Sequence, residues 1–482
     1  MQTRRDRVQA HTFVVGRLST AMLEADPDAV DAPMRRTRNG SFIGLAIGAL
    51  LCVGFLVFGL IFPGGAQSWR QEGRLIVEKE TGATYLYADG VLRPVANYAS
   101  ARLIQGAQMT VASVSSASLE GVPKGGAVGI PGAPDTLPAA DGEAGTWLLC
   151  AIPPTSDHDA RTALTVTPEA TAAALPNDFG VLVADPDGDR HLLWRGTRLR
   201  LDTDNGALEA LGYGTSPVLP VTDAFLDTVP AAPDLAAPTV AGLGEQGPAI
   251  AGRPATVGQV FVVGGDGQQD QYYLLTRDGL VPLTATDSRL LLTHPAVQAD
   301  AYGGETPTAV PLTPADLRGV LAEGGGVDRP GDSPFPASPP ELVPLDGDTA
   351  CLRLGADGGL GLAIRPVDDI RAWPVQEAPA IAPGCPTPDL MGIPSGGGAL
   401  VEARPVGGST ETPTYYVVTD SAAKFPVSDT DTVGALGFDP ATATAVPTSL
   451  LRLIPTGPLL APDAAPLPVA RDPEPPQTDC PE

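Results

Sequence analysis

The sequence of 482 residues predicts a membrane-anchored protein with a single N-terminal transmembrane helix and a large extracytoplasmic α+β domain. Four repeat modules, ordered A-B-A′-B′, are expected to stand with pseudo-two-fold symmetry around a central β core. Three observations predict this: an uncharged apolar run from Phe42 to Phe62, a strand-turn-strand pattern that recurs beyond it, and a cysteine-bearing apolar segment within each half. The run is long enough to cross a hydrocarbon layer of about 30 Å as one helix.

Residues 1–41 read as a cytoplasmic arm. They carry seven Arg against five acidic residues, and Arg35, Arg36 and Arg38 sit at the membrane edge, which keeps the N-terminus inside and exports the rest. A cleaved signal peptide is the competing reading. The run lies too far into the chain, is too long, and lacks a small-x-small cleavage site before Trp69, so 42–62 is read as a retained anchor. Val8, His11, Val15, Leu18 and Met22 recur at spacings of three and four, which predicts an amphipathic helix over 3–25, stopped by Asp26-Pro27-Asp28. With Arg4, Arg5, Arg7 and Arg17 interspersed, it suits a membrane surface or docking to a cytoplasmic partner. Within the anchor, Gly44 and Gly48, with Gly54 and Gly59, would let neighbouring helices approach closely. The expected docking residues are therefore Arg4, Arg5, Arg7, Arg17, Arg35, Arg36, Gly44 and Gly48.

Beyond Gly64-Gly65, Tyr85-Leu86-Tyr87-Ala88-Asp89-Gly90-Val91-Leu92-Arg93-Pro94-Val95 is a strand, an Asp-Gly turn and a second strand. Tyr273 to Leu283 repeats it almost residue for residue, and looser copies begin at Leu192 and Tyr416. A Ser and then Arg-Leu follow the first and third copies; Ala-Leu-Gly-aromatic follows the second and fourth. The spacing is irregular, which excludes a fixed-period solenoid. The expected division is module 1 at 63–107, a first core segment at 108–175, module 2 at 176–240, module 3 at 241–302, a second core segment at 303–400, module 4 at 401–461 and a proline-rich tail at 462–482. Pro94, Pro282 and Pro426 mark edge strands, where a missing donor is tolerated.

With 56 glycines and 52 prolines beside plentiful Leu, Val, Ile and Ala, the exported region reads as loop-rich β structure. The net charge of −26, with only Lys79, Lys124 and Lys424 as lysines, offers no basic patch outside the membrane for nucleic acid. Cys52 lies inside the anchor. Cys150, Cys351, Cys385 and Cys480 are exported, and four cysteines allow three connectivities that sequence leaves open. Cys150 with Cys351 is the pairing expected, because WLLCAI and ACLRL are apolar strands at similar positions in the two halves. Cys385 and Cys480, in proline-rich segments, would be the second pair.

Enzymatic chemistry finds little support. Gly242-Leu243-Gly244-Glu245-Gln246-Gly247 matches G-x-G-x-x-G, but proline-rich chain precedes it and Pro248 follows, where a dinucleotide site needs a strand and a helix N-terminus. A phosphate-binding G-x-x-x-x-G-K-[ST] loop is missing from the sequence. Asp185, Asp187 and Asp189 alternate like the start of a calcium loop, with Arg190 at the sixth position and Gly196 at the twelfth in place of the required Gly and bidentate acid. The four histidines are scattered, and there is no G-x-S-x-G elbow. The expectation is no enzyme, no catalytic residues, no cofactor and no metal.

Taken together, Thr3-Arg4-Arg5-Asp6-Arg7-Val8-Gln9-Ala10-His11, Asp26-Pro27-Asp28-Ala29, Pro33-Met34-Arg35-Arg36, Gly129-Ile130-Pro131-Gly132-Ala133-Pro134 and Val446-Pro447 through Pro455-Thr456-Gly457-Pro458 closely resemble the EccB family of the actinobacterial type VII (ESX) secretion system. The resemblance covers nearly the whole chain. It implies a single-pass scaffold subunit of the inner membrane whose exported domain lies in the periplasm. Assembly with EccC (the ATPase), EccD and EccE is implied, with further copies of itself, and contact with a mycosin protease outside the membrane. It also implies modules similar to phage-lysin wall-binding modules, and ATPase activity has been suggested for some members; the missing phosphate loop argues against that here. The contrasting reading is a peptidoglycan-binding module that holds glycan through Tyr85, Tyr87, Trp194, Tyr272, Tyr273, Tyr415 and Tyr416.

Overall fold

The computed structural model describes residues 4–24, 35–61, 68–140, 145–167, 174–265, 268–323, 327, 334–355, 358–405, 413–469 and 475–476. The chain divides into two compact units. The first comprises Met1–Trp69, Glu78–Thr81 and Ser113–Gly121. It holds helix α1 (Arg4–Glu24) and helix α2 (Arg35–Ile61). The span Asn39–Gly59 of α2 has a mean hydropathy of 2.5 and none of it is buried by protein, so its apolar side chains are left for lipid. The helix starts at Arg35, ahead of the expected 42, because no proline separates the arginines from the apolar run; Phe62 lies outside the described residues. Helix α1 is less amphipathic than its spacing predicts: Phe13 and Val14 fall off the line through Val8, Val15 and Met22, and all five are exposed.

The second unit comprises Arg70–Val77, Gly82–Ala112 and Val122–Glu482. Module 1 runs β1 (Arg74–Glu78), β2 (Thr84–Ala88), β3 (Val91–Pro94), the helix Tyr98–Gln105 and β4 (Thr110–Val114), in the sheet order β3-β2-β1-β4. After β5 (Thr146–Ile152) and β6 (Arg161–Thr167) come β7 (Phe179–Ala184), β8 (Arg190–Trp194), β9 (Thr197–Arg200), the helix Ala207–Leu211 and β10 (Leu219–Pro220), ordered β10-β7-β8-β9. Module 3 repeats this with β11 (Val260–Gly265), β12 (Gln268–Thr276), β13 (Gly279–Leu283), the helix Ala285–Thr293 and β14 (Val310–Leu312). Following β15 (Glu341–Leu342), β16 (Asp348–Leu354), β17 (Leu360–Pro366), β18 (Trp373–Pro374) and β19 (Leu390–Gly392), module 4 has β20 (Gly398–Arg404), β21 (Thr414–Thr419), β22 (Lys424–Pro426), the helix Thr430–Leu436 and β23 (Thr444–Pro447). In modules 2, 3 and 4 the fourth strand pairs parallel with the first.

The turns follow from sequence. Asp89 (φ 52°) and Gly90 (φ 79°), like Arg195 (φ 52°) and Gly196 (φ 76°), place two successive residues in the left-handed region, the twist that a two-residue hairpin requires. Gly196 meets a second demand, since a Cβ there would fall 1.8 Å from the Leu360 carbonyl oxygen.

The fourth strands move the expected boundaries. Residue 107 would cut β4 from its sheet, 302 would cut off β14, and 400 would split β20; β15, expected in the core, pairs with β7 of module 2. These strands are two to five residues long apart from β20, and parallel pairing across a helix leaves no local turn signal.

Strands β17, β16, β5 and β6 are consecutive in a sheet ordered β17-β16-β5-β6-β19-β18. Two hairpins meet there through the antiparallel pair β5/β16, with Cys351 opposite Cys150, an arrangement compatible with a local two-fold axis; β19 and β18 extend one side only. Trp147, Leu149, Ala350 and Leu352 point to one face, where Phe225 and Leu226 of module 2 and Leu450 and Ile454 of module 4 cover them. Burying each Leu, Ile or Phe side chain among them stabilises the fold by about 1.5–3 kcal/mol. Leu148, Cys150, Cys351 and Ala363 fill the opposite face. The module helices pack in pairs: Tyr98–Gln105 against Thr430–Leu436, and Ala207–Leu211 against Ala285–Thr293. Module 1 thus joins module 4, and module 2 joins module 3.

Candidate functional site

The chemistry of each candidate residue follows from where the fold places it. Arg4, Arg5, Arg7 and Arg17 are exposed on α1, and Gly44 and Gly48 are exposed on α2, one turn apart on one face, with nothing within 4 Å of a Cβ built at either. Arg35 and Arg36 begin α2; their side chains lie outside the described residues. Cys150 and Cys351 are joined by a disulfide with Cα atoms 4.0 Å apart. Cys385 is disulfide-bonded, Cys52 is free, and Cys480 lies outside the described residues.

The Gly242 loop is closed to phosphate. Its Gly244 and Gly247 amides donate to Val257 and Ala255 carbonyls, and Glu245 donates to Gly242. Arg277 bonds Glu245 through two nitrogens at 2.7 and 2.5 Å, and a Cβ on Gly242 would fall 2.4 Å from Arg277 Nε. The hydrogen bonds from Arg277 hold the Glu245 carboxyl below its ordinary range, so the cation beside the loop is already paired with a carboxylate.

The Asp185 loop is a turn. Asp185 Oδ1 accepts the Asp189 amide at 2.8 Å and Oδ2 lies 3.2 Å from His191 Nε2. Burial pushes the Asp185 carboxyl up, but the hydrogen bonds with His191 and from Asp189 outweigh it and hold it below the usual carboxylate value. Among the described residues no three or more His, Cys, Asp or Glu side chains gather as metal ligands. The seven aromatics considered for glycan are all buried or half-buried, and the Trp194 indole donates to the Asn177 carbonyl at 2.6 Å.

One residue escaped sequence reasoning. In each module the third strand is bridged by a returning segment: Leu92 by Pro123 and Gly125, Arg198 by Pro230 and Ala232, Leu280 by Val320 and Ala322, Lys424 by Pro455 and Gly457. This register aligns Leu92, Arg198, Leu280 and Lys424. The A modules have a fully buried leucine there, and the B modules have a cation. Arg198 reaches Asp227 at 3.4 Å. Arg452 stands where module 2 has Asp227, so the Lys424 ammonium donates to the Ile454 carbonyl instead, and burial pushes it down to about 8. Aligning the copies at Pro230 and Pro455 would have revealed the exchange.

Against this architecture, the family model described as "Type VII secretion system ESX-1, transport TM domain B" matches residues 1–473. The chain belongs to the EccB family. Relatives include the ESX-2 secretion system ATPase EccB2 of Mycobacterium tuberculosis, 28% identical over 422 residues, which are 83% of this chain and 82% of the relative. The ESX-3 secretion system ATPase EccB3 of Mycolicibacterium smegmatis is 27% identical over 488 residues, covering 95% and 89%. The fold matches a chain of an intact ESX-5 inner membrane complex with a TM-score of 0.62 at 22% identity, over 100% of this chain and 98% of that one. It also matches the EccB3 dimer from the ESX-3 core complex, with a TM-score of 0.63 at 25% identity over 82% of this chain and 99% of that chain. One long apolar helix among the described residues and a large sheet-rich unit are thus the form that EccB takes in this chain.

Proposed function

We propose that this EccB chain is a structural subunit of a type VII secretion inner-membrane complex. Helix α2 anchors it with the N-terminus in the cytoplasm, and the sheet-rich unit stands in the periplasm. It assembles there with further copies of itself, and in the membrane with EccC, EccD and EccE; a mycosin protease is its neighbour outside. The observation that carries this reading is the family match over 1–473, spanning basic arm, anchor and exported domain together. The exposed arginines of α1 and the Gly44/Gly48 face supply the contacts. ATP hydrolysis is assigned to a partner, since the amides of the Gly242 loop are spent on backbone carbonyls. The packed aromatics argue against glycan binding as the main role.

Purification of the complex from detergent-solubilised membranes tests this. Co-purification of an ATPase and a multi-span subunit in a multi-copy particle is expected. A monomer that sediments with peptidoglycan, or ATP turnover by this chain free of partner ATPase, would overturn the corresponding claim.

A further inference from the structure

Among the described residues, the edges of the sheets are closed by one of two devices, and one edge has neither. Strands β3, β9, β13 and β22 are bridged by returning segments, and β17 accepts the Leu175 amide at its Leu362 carbonyl. Proline blunts β10 (Pro220), β14 (Pro311), β18 (Pro374) and β23 (Pro447) by removing a donor, and β15 is two residues long with an exposed Glu341. Strand β4 is the exception. It runs five residues, ends its sheet, and contains neither proline nor charge; residues 103–119 hold no Asp, Glu, Lys or Arg at all.

Its free side follows from its hydrogen bonds. The Thr110 amide donates to Gly73 and the Val114 carbonyl accepts from Lys79, so Thr110 and Val114 face β1. Alternation along the strand turns the amides and carbonyls of Val111 and Ser113 to the open edge. Val111 is 58% exposed, and Ser113 is exposed beside it.

We propose that β4 is the strand through which this chain pairs with a second copy of itself, antiparallel about a two-fold axis at Ala112. The inference rests on the self-assembly in the scaffold reading and gives it a surface. In this register Val111 exchanges both hydrogen bonds with Ser113 of the second copy, and Thr110 stands opposite Val114. A second copy suits the edge because the pairing sets no charge against its own image, in a chain whose net charge of −26 otherwise repels its like. Two chains anchored in one membrane also meet at a raised effective concentration, so a short strand suffices.

Cross-linking tests this on the full chain, produced in membranes without other secretion subunits. Ala112→Cys, in a Cys52→Ser background, sets two thiols on directly opposed residues whose Cα atoms stand about 4.5 Å apart. Mild oxidation should give a covalent dimer that the background chain does not give. Val111→Pro, which copies the device of the other fourth strands, should abolish the dimer in gel filtration while β1 and β2 keep their protection from hydrogen exchange. Dimers that form without the Ala112→Cys cross-link, or that survive Val111→Pro, overturn the strand assignment and leave the scaffold reading standing. A chain that stays monomeric in the membrane overturns the self-assembly on which both rest. Protection of the Val111 and Ser113 amides that arises only with a different subunit bound gives the edge to that subunit and overturns the choice of a second copy.

Discussion

Modules 1 and 4 and modules 2 and 3 form two helix-paired halves with the same strand order, yet they are closed differently. In the first half, Ala99 and Leu103 share a core with Val433, Leu436 and Phe438, and the arm beyond Leu460 returns to residues 127–129. In the second half, Leu290 enters the core of Trp194, Leu211 and Tyr213, and the crossing chain is β15 on the edge of β7. Each half, β4 apart, covers the sheet edges that a lone four-stranded module would leave open. A duplicated fold therefore keeps its strand order and helix pairing, while the means of covering edges diverge with whatever chain is nearby.

The largest expected effect falls on what both halves share. Replacing Cys150 and Cys351 together by Ala removes a link across 201 residues and should cost about 3–5 kcal/mol. Hydrogen exchange should then rise in β8 and β21 alike. A rise confined to one of them would show that the central strands support only that half.

Core truncations separate the halves. Phe425→Ala, at a side chain 1% exposed, should cost about 3–5 kcal/mol, and Leu290→Ala, at 3%, about 2–5 kcal/mol. Each should loosen its own half first, read by exchange in β21 and in β12. Equal loosening of both by either variant would mean that the two halves unfold as one.

How much of this was readable beforehand depended on the range of the signal. The anchor was legible because an uncharged run of this length has few other uses, and the hairpins because Asp89-Gly90 and Asp278-Gly279 sit between apolar alternations. The pairing of module 1 with module 4 was not, since Leu103 and Val433 meet across the whole chain with no local mark. Strand β10 has two residues, one of them Pro220, too short for any periodicity. Lys424 carried no local mark, because a buried lysine looks like any other until its copies are aligned. The Gly242 loop was legible as unfit for a nucleotide from Pro248, but the ion pair of its Glu245 with Arg277 was not.

The cation positions sharpen the contrast between B and B′. Lys424 titrates at about 8 in the fold against 10.5 unfolded, so the unfolded chain binds the extra proton between those values. Stability of the wild type should therefore rise as pH goes from 8 to 10.5, by an amount on the order of 3 kcal/mol. Lys424→Met should remove that rise and be the more stable protein at pH 7. Arg198→Met, which breaks a part-exposed pair with Asp227, should change stability by only about 0–1 kcal/mol. Parallel pH profiles for wild type and Lys424→Met in chemical denaturation would contradict the burial argument.

The smallest effects probe the helix pairings themselves. Gly437 (φ 97°) ends the module 4 helix against Arg102 of module 1, and Gly206 (φ 81°) precedes the module 2 helix against Thr293 of module 3. An alanine in the left-handed region costs about 1–2 kcal/mol at either site. The neighbours then separate them. A Cβ at Gly437 would stand 3.1 Å from the far end of the Arg102 side chain, whose guanidinium donates to the Ala107 carbonyl but whose long stem has rotatable bonds with which to give way. At Gly206 it would stand 3.0 Å from the Thr293 methyl, on a short β-branched side chain whose hydroxyl is bonded to the Arg289 carbonyl. Gly206→Ala should thus cost more than Gly437→Ala, compared by denaturant midpoints at equal slope. The reverse order would place the tighter junction between modules 1 and 4, the half to which the C-terminal arm returns.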